Sequence, residues 1–434
     1  MGASALEMTD RLLRGEISVS QVNPVGGDAA LDEVAPGVAF IPSFGNIAAF
    51  AVDDRLLLVD TGNQMLAGAN HAKVRGWTGL PLDTVVYTHG HIDHVFGVGP
   101  YEAEADSDGR PGPRVVAHER VPARFDRYRL TAGYNGVINA RQFQMPAFRW
   151  PTDYRYPDDT YTGQAVLDVG GERFELHHGM GETDDATWVW QPDRKLLCTG
   201  DMFIWASPNC GNPQKVQRYP REWAVALRAM AALGAELMLP GHGWPIAGAP
   251  MIERALTEAA DLLDDLVDQT LALMNDGARL DDIVHAVRAP ADLLERPYLR
   301  PVYDEPEFVV RSVWRLYGGW YDGNPARLKP APDAALAAEL AALAGGAGRL
   351  AERAAELAAA GDLRLAGHLA EMAAQASPND AGVHRVRAEV FGRRASEELS
   401  TMSRGVFAWA ASESRAAAGP DGDGSSAGAS PSPG

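Results

Sequence analysis

The sequence predicts an α/β chain: mixed α/β through residue 250, then all-α. Three observations carry this. Short β-type runs recur in the first 250 residues, with helical or irregular stretches between some of them. From Met251 the apolar residues Leu262, Leu263, Leu266, Val267, Leu271 and Met274 recur at helical spacing among acidic ones. Between 331 and 376, Ala fills 20 of 46 positions, broken by Gly345-Gly346 and Gly361-Asp362, which reads as helical hairpins.

Taken in order, residues 38–62 read as a β-meander with Asp53-Asp54 at a hairpin tip. Further β-type runs follow at Thr84–Thr88, Arg114–His118, Arg173–His177, Thr187–Gln191 and Lys195–Thr199. The amide-rich and aromatic stretch Gly133–Phe143 reads as a loop that either lines a pocket mouth or packs away. Ala360-Gly361-Asp362 and Ser377-Pro378-Asn379-Asp380 flank a helix as the turns of tetratricopeptide-type helix pairs do, although one or two units make no solenoid. From Gly419 onward the composition is Gly, Ser, Pro, Asp and Ala, so disorder is expected.

The 39 Lys+Arg stand against 58 Asp+Glu, a net charge of −19, which disfavours a nucleic-acid partner. No apolar run approaches the ~18 residues of a membrane span, and the first residues lack a signal-type apolar stretch. Two cysteines, Cys198 and Cys210, are too few for a disulfide framework. The expectation is a soluble, cytoplasmic protein without a membrane partner.

The sharpest chemical feature is Thr88-His89-Gly90-His91-Ile92-Asp93-His94: four ligand-type side chains where a β-run ends. Imidazole and carboxylate suit Zn²⁺ or Mn²⁺, and the chain has only 11 His in all. Asp201 follows another apolar run, at a position where a strand end exposes a side chain.

His-x-His-x-Asp-His resembles the signature of the metallo-β-lactamase superfamily. Val59-Asp60-Thr61-Gly62 resembles its early strand-end motif, and Leu239-Pro240-Gly241-His242-Gly243 its last ligand loop. The resemblance implies an αββα sandwich over residues 37–250, with two metal ions between facing sheets. In His178-Gly179-Met180-Gly181-Glu182-Thr183, Glu182 stands where the superfamily has a second His. That is the pattern of the alkylsulfatase branch, in which an acidic residue nineteen positions on, here Asp201, bridges the metals. The resemblance thus implies His89, His91 and Glu182 on one ion, Asp93, His94 and His242 on the other, and Asp201 on both. The alternative is that His178 ligates in place of Glu182.

Tyr317-Gly318-Gly319-Trp320-Tyr321-Asp322-Gly323-Asn324-Pro325 resembles the alkylsulfatase dimerisation domain. A domain plan follows: an N-terminal extension at 1–36, the catalytic domain at 37–250, a helical dimerisation domain with tetratricopeptide-like pairs at 251–415 and a tail at 416–434. The family exchanges helical arms, so a homodimer is expected. Its sterol-carrier-like module is not expected here, which argues against long-chain detergents as substrates.

The implied chemistry is hydrolysis of an organic sulfate ester to alcohol and sulfate by a hydroxide shared between two divalent ions, Zn²⁺ first, with Mn²⁺ or Fe²⁺ as alternatives. Asp93 and Asp201 are the carboxylates at the reaction centre. A sulfate ester also needs donors for its oxygens, and Lys215 and Arg218, with Asn209 and Asn212 as neutral donors, are the candidates. The same centre can serve a thioester, lactone or phosphoester. A non-catalytic scaffold is a third reading, opposed by seven ligands where a structural zinc takes about four. His118 is expected to pack rather than react.

Overall fold

The computed structural model describes residues 3–24, 26 and 29–419, so the tail read as disordered lies outside the described residues from 420 onward. The chain forms two compact units. One holds the described residues up to Asn135 together with Arg149–Gly323; the other holds Gly136–Phe148 and the residues from Asn324 onward.

The first unit contains two sheets, each with its strands neighbouring in chain order. The seven-stranded sheet comprises β1 (Asp32–Ala35), β2 (Val38–Ile41), β3 (Ile47–Val52), β4 (Arg55–Val59), β5 (Leu82–Val86), β6 (Arg114–His118) and β7 (Asp159–Tyr161). β1 to β4 are antiparallel, and Asp53 takes φ +51° at the tip between β3 and β4. From β4 to β7 pairing is parallel, as helical crossovers such as Ala67–Trp77 and Gly99–Ser107 permit.

The second sheet comprises β8 (Gln164–Val169), β9 (Glu172–His178), β10 (Thr187–Gln191), β11 (Leu196–Ile204), β12 (Leu237–His242) and β13 (Ile246–Ala247). β8 to β11 are antiparallel; β11 and β12 are parallel across the helix Pro220–Ala231. The inner faces share one core, with Phe40, Phe50, Leu57, Val86 and Val116 on one side and Phe174, Leu176, Val189, Cys198 and Leu239 on the other. Phe50 meets Phe174 edge-on at 5.2 Å. Each such buried side chain contributes roughly 1.5–3 kcal/mol. Every residue of β11 is buried, as expected of a strand covered on both faces.

The helix Ala249–Asn275 buries the predicted stripe, Leu262, Leu263, Leu266 and Val267, against the helix Pro220–Ala231, and Arg221 and Arg228 pair with Asp261, Asp264 and Asp268 across that contact. Residues 251–323 therefore fold with the sheets, a division different from a boundary drawn at 250.

The stretch Gly133–Phe143 is not a loop: it lies within the helix Ala132–Phe143. Its Gly and Asn content argues for a loop by propensity, but burial of Ile138, Ala140 and Gln142 decides in favour of helix.

In the second unit, the helices Asp333–Ala344, Ala347–Ala359, Leu363–Ala376, Ala381–Glu397 and Thr401–Ala418 follow one another through short turns. Gly345 and Gly361 take φ +87° and +88° at the predicted breaks. The Asp362 carboxylate accepts from the Leu365 amide, and Asp380 from Gly382 and Val383, capping the next two helices. Small Ala351, Ala373, Ala366 and Ala370 allow close packing in their cores. Among the described residues no single helix is long and apolar enough to cross a membrane.

Candidate metal centre

Five chain segments deliver polar side chains to one place: Asp60 after β4, His89–His94 after β5, the Gly179–Ala186 loop between β9 and β10, Asp201 within β11 and His242 ending β12. Strand ends are rigid, solvent-facing mounts, which is where such side chains can converge. The approach is close enough to exclude ordinary side chains. A Cβ on Gly241 would lie 2.1 Å from Asp201 Oδ1, and one on Gly45 would lie 1.8 Å from the Asp93 carbonyl oxygen.

The seven residues named from the sequence come together as two groups. His89, His91, Glu182 and Asp201 each bring one ligand-type atom within 4.8 Å of the others, and so do Asp93, His94 and His242. His89 Nε2 and His91 Nδ1 face each other at 2.8 Å, with Glu182 Oε2 at 4.0 and 3.8 Å from them. Asp93 Oδ2 lies 3.7 Å from His94 Nε2 and 3.4 Å from His242 Nε2. Asp201 lies between the groups: Oδ1 is 3.3 Å from His94 Nε2, while Oδ2 is 3.7 Å from His89 Nε2 and 3.4 Å from His242 Nε2.

A buried carboxylate orients two of these imidazoles. Asp60, held at φ +59°, accepts the Thr88 amide on Oδ1 and the Thr88 hydroxyl on Oδ2, each at 2.7 Å. Its Oδ2 also accepts His94 Nδ1–H at 2.7 Å. Because the Thr88 proton is committed to Asp60, Thr88 Oγ1 accepts from His89 Nδ1 at 3.0 Å. Both rings are thereby held as Nδ1–H tautomers with Nε2 lone pairs turned into the cluster, the form a metal needs.

Glu182 is supported from elsewhere. Its Oε1 accepts from the Arg218 guanidinium and from Asn209 Nδ2, leaving Oε2 directed at His89 and His91. Arg218 also donates to the Asn209 carbonyl and is buried. Arg218, read from the sequence as a substrate cation, thus grips a ligand-type carboxylate. Lys215 is half-buried with Nζ 5.3 Å over the Trp150 ring. Trp150 lies tilted against Tyr128 at 4.9 Å, and Tyr128 lies tilted toward His91 at 6.3 Å. Burial and the neighbouring Arg218 pull the Lys215 ammonium down to about 8. Asn212 is buried beside this loop.

The donor set suits divalent cations. Glu182 Oε2, Asp201 Oδ1 and His94 Nε2, all facing the cluster, are buried without a hydrogen-bond partner, and buried polar atoms in native proteins normally have one. Burial holds His89 near 4, and His91 well below the usual imidazole range, so both present neutral rings. Burial also pushes Glu182 up to about 8, Arg218 opposing it and Asp201 adding to it. Against the same burial, Asp201 and its neighbouring carboxylates raise His94 and His242, the latter to about 10. In protein alone, then, protons on these imidazoles supply positive charge that a cation supplies when bound.

His178 takes no part. Its ring stacks on His118 at 3.7 Å, and its Nδ1 donates to the Ala186 carbonyl. His118 is buried, as expected of a packing residue. Sequence reasoning did not single out Arg124, and it left Asp184 and Asp185 only as acids that compete with Glu182; the structure pairs Arg124 with Asp185. This buried ion pair joins the helix Val121–Leu130 to the Glu182 loop, and Asp185 also accepts the Gly90 amide at 3.2 Å. Arg124 and Asp185 are 61 residues apart, and no local pattern joins them.

Comparison with known proteins finds similarity to two families along the chain. Residues 41–242 match the metallo-β-lactamase superfamily and residues 279–417 the alkyl sulfatase dimerisation family. The chain is therefore similar, in this order, to a metallo-β-lactamase domain and to an alkylsulfatase dimerisation domain. It is 26% identical over 381 residues to a linear primary-alkylsulfatase of Pseudomonas sp. (strain ATCC 19151), covering 82% of this chain and 72% of that one. An alkyl/aryl-sulfatase of Saccharomyces cerevisiae is 26% identical over 324 residues, 69% of this chain and 50% of that one. The structure of a stereoselective inverting sec-alkylsulfatase from Pseudomonas sp. superposes with TM-score 0.80 at 23% identity, over 91% of this chain and 67% of that one. That likeness concerns the fold, which the metallo-β-lactamase sandwich followed by helices reproduces.

Proposed function

We propose that this chain is a metal-dependent hydrolase that cleaves an organic sulfate ester to alcohol and sulfate at a dinuclear centre, most simply of zinc. The observation that carries this reading is the Asp201 carboxylate, which lies between the two ligand groups, with Oδ2 facing His89 and His242 and Oδ1 facing His94. The names of the relatives support the sulfate ester as substrate.

In this reading His89, His91 and Glu182 hold one ion, Asp93, His94 and His242 the other, and Asp201 both. Bound there, divalent ions supply Lewis acidity toward water and toward an ester oxygen. The remaining work belongs to the chain. Asp60 and Thr88 keep His89 and His94 in the ligating tautomer, and Arg218 and Asn209 aim Glu182. Lys215 places a positive charge beside the aromatic side of the site, where it attracts the anionic ester and offsets charge on the departing oxygens.

A homodimer and a cytoplasmic location complete the proposal. Dimer formation is supported by the dimerisation-family match and by Trp320 and Tyr317, 70% and 49% exposed at the end of the helix Pro306–Gly318. The location is supported by two free, buried cysteines.

The test is sulfate release from a short and a long alkyl sulfate by Zn²⁺- or Mn²⁺-reconstituted protein, beside Asp93→Ala. Release that the substitution abolishes is expected. No release from either ester, with turnover of a thioester, lactone or phosphoester instead, would replace the substrate while keeping the centre.

A further inference from the structure

Glu182 owes its orientation to Asn209 and Arg218, and those two residues sit on a segment with little regular structure, from Ser207 to Tyr219. What holds that segment lies about a hundred residues further along the chain, in the stretch leading into the helix Pro306–Gly318. Asp304, fully buried, accepts the Gly211 amide on Oδ2 and the Glu305 amide on Oδ1. The Gly211 backbone is seated directly on that helix: a Cβ there would lie 2.1 Å from the Phe308 carbonyl carbon and 2.2 Å from the Val309 nitrogen. Ser207 donates its amide to the Arg300 carbonyl at 2.9 Å, securing the other end of the turn.

A second tether reaches Arg218 itself. Gln217 Nε2 donates to the Arg218 carbonyl at 2.8 Å and to the Ser312 carbonyl at 3.1 Å, while Arg315 donates to Gln217 Oε1 at 2.8 Å. Both residues that touch Glu182 Oε1 are therefore fixed by the same helix and the residues preceding it. No other described residue offers the Gly211 amide an acceptor.

We propose that Asp304 is a positioning residue of the metal centre. By pinning the turn at Gly211, it holds Asn209 and Arg218 against Glu182 and thereby sets the divalent-ion affinity of the group containing Glu182, leaving the Asp93, His94 and His242 group unaffected. The inference rests on the metal-centre reading above. Loss of partners behind a ligand typically weakens metal binding ~10–100-fold, and that is the scale expected here.

The experiment is a chelator-competition titration of the full chain with Zn²⁺, resolving successive binding steps for wild type, Asp304→Asn, Gln217→Ala and Glu182→Gln, with melting curves of each metal-free protein. Asp304→Asn keeps the volume but cannot accept both amides. It is expected to weaken by ~10–100-fold the step that Glu182→Gln removes, with the other step at its wild-type value. Gln217→Ala, at a half-buried position, is expected to weaken the same step by less. A general loss of structure would move both steps and the melting curve together, so equal weakening of both steps overturns the proposal. So does an unchanged Asp304→Asn titration while Glu182→Gln still loses one step. If Asp304→Asn does not fold, the same readings on Gln217→Ala decide. A wild-type chain that binds no zinc would overturn the metal-centre reading and this inference with it.

Discussion

The two ligand groups use the same kinds of donor but are mounted differently. His242 ends β12, Asp93 and His94 lie in the turn beyond β5, and all three are buttressed by backbone and by nearby side chains. Asp60 fixes His94, and Asn46 Nδ2 donates to the carbonyls of Pro240 and Gly243, at 3.0 and 3.1 Å, on either side of the His242 loop. In the other group His89 and His91 share that mounting, but Glu182 sits in a loop and is aimed by a guanidinium and an amide from a second loop. A donor on a strand end inherits the rigidity of the sheet. A donor on a loop has to be braced, and its brace is a separate point of failure.

The largest effect expected is from Asp93→Ala, which removes a carboxylate from the group it forms with His94 and His242. Losing several kcal/mol of transition-state stabilisation corresponds to ~10³-fold in sulfate release at saturating metal. A variant retaining near wild-type turnover would mean that this group is not part of the reaction centre.

Asp60→Asn sharpens the comparison, because Asp60 touches His94 directly and His89 through Thr88. It is expected to weaken both zinc-binding steps, each by ~10–100-fold, with the direct contact giving the greater loss. A titration in which only one step moves would show that Thr88 orients His89 without Asp60.

The smallest effect expected is from Lys215→Met. Loss of one charge-assisted contact, about 1.5–3 kcal/mol, should raise KM for an alkyl sulfate ~10–100-fold with little change in metal content. A lysine is charged below its pKa, and burial beside Arg218 lowers that of Lys215 to about 8. In wild type, KM is therefore expected to rise as pH passes upward through about 8, and this limb should vanish in Lys215→Met. A limb that persists would assign it to another group.

Much of this was legible before any coordinates. Val59-Asp60, Thr88–His94 and Leu239–His242 each write an apolar run and its polar end within a few letters, whereas Asp201, expected at an exposed strand end, is buried within β11, which runs on to Ile204. The stretch Gly133–Phe143 misled because its Gly and Asn residues report local propensity, whereas burial of Ile138 and Ala140 chose the helix. Arg218 was found in the right loop and given a substrate to bind; its contact with Glu182, 36 residues away, is a product of packing.

By itself the sequence determined which ligand-type residues to consider, most of the strands near them, and the change from mixed α/β to all-α, because periodicity and the polarity that follows an apolar run are local properties of a chain. Only the tertiary structure decided that Asp201 faces both groups, that Glu182 rather than His178 turns inward, and that Asp304 holds the segment carrying Asn209 and Arg218. Those choices depend on which buried polar atoms find partners, and such partners are 27 to 93 residues apart.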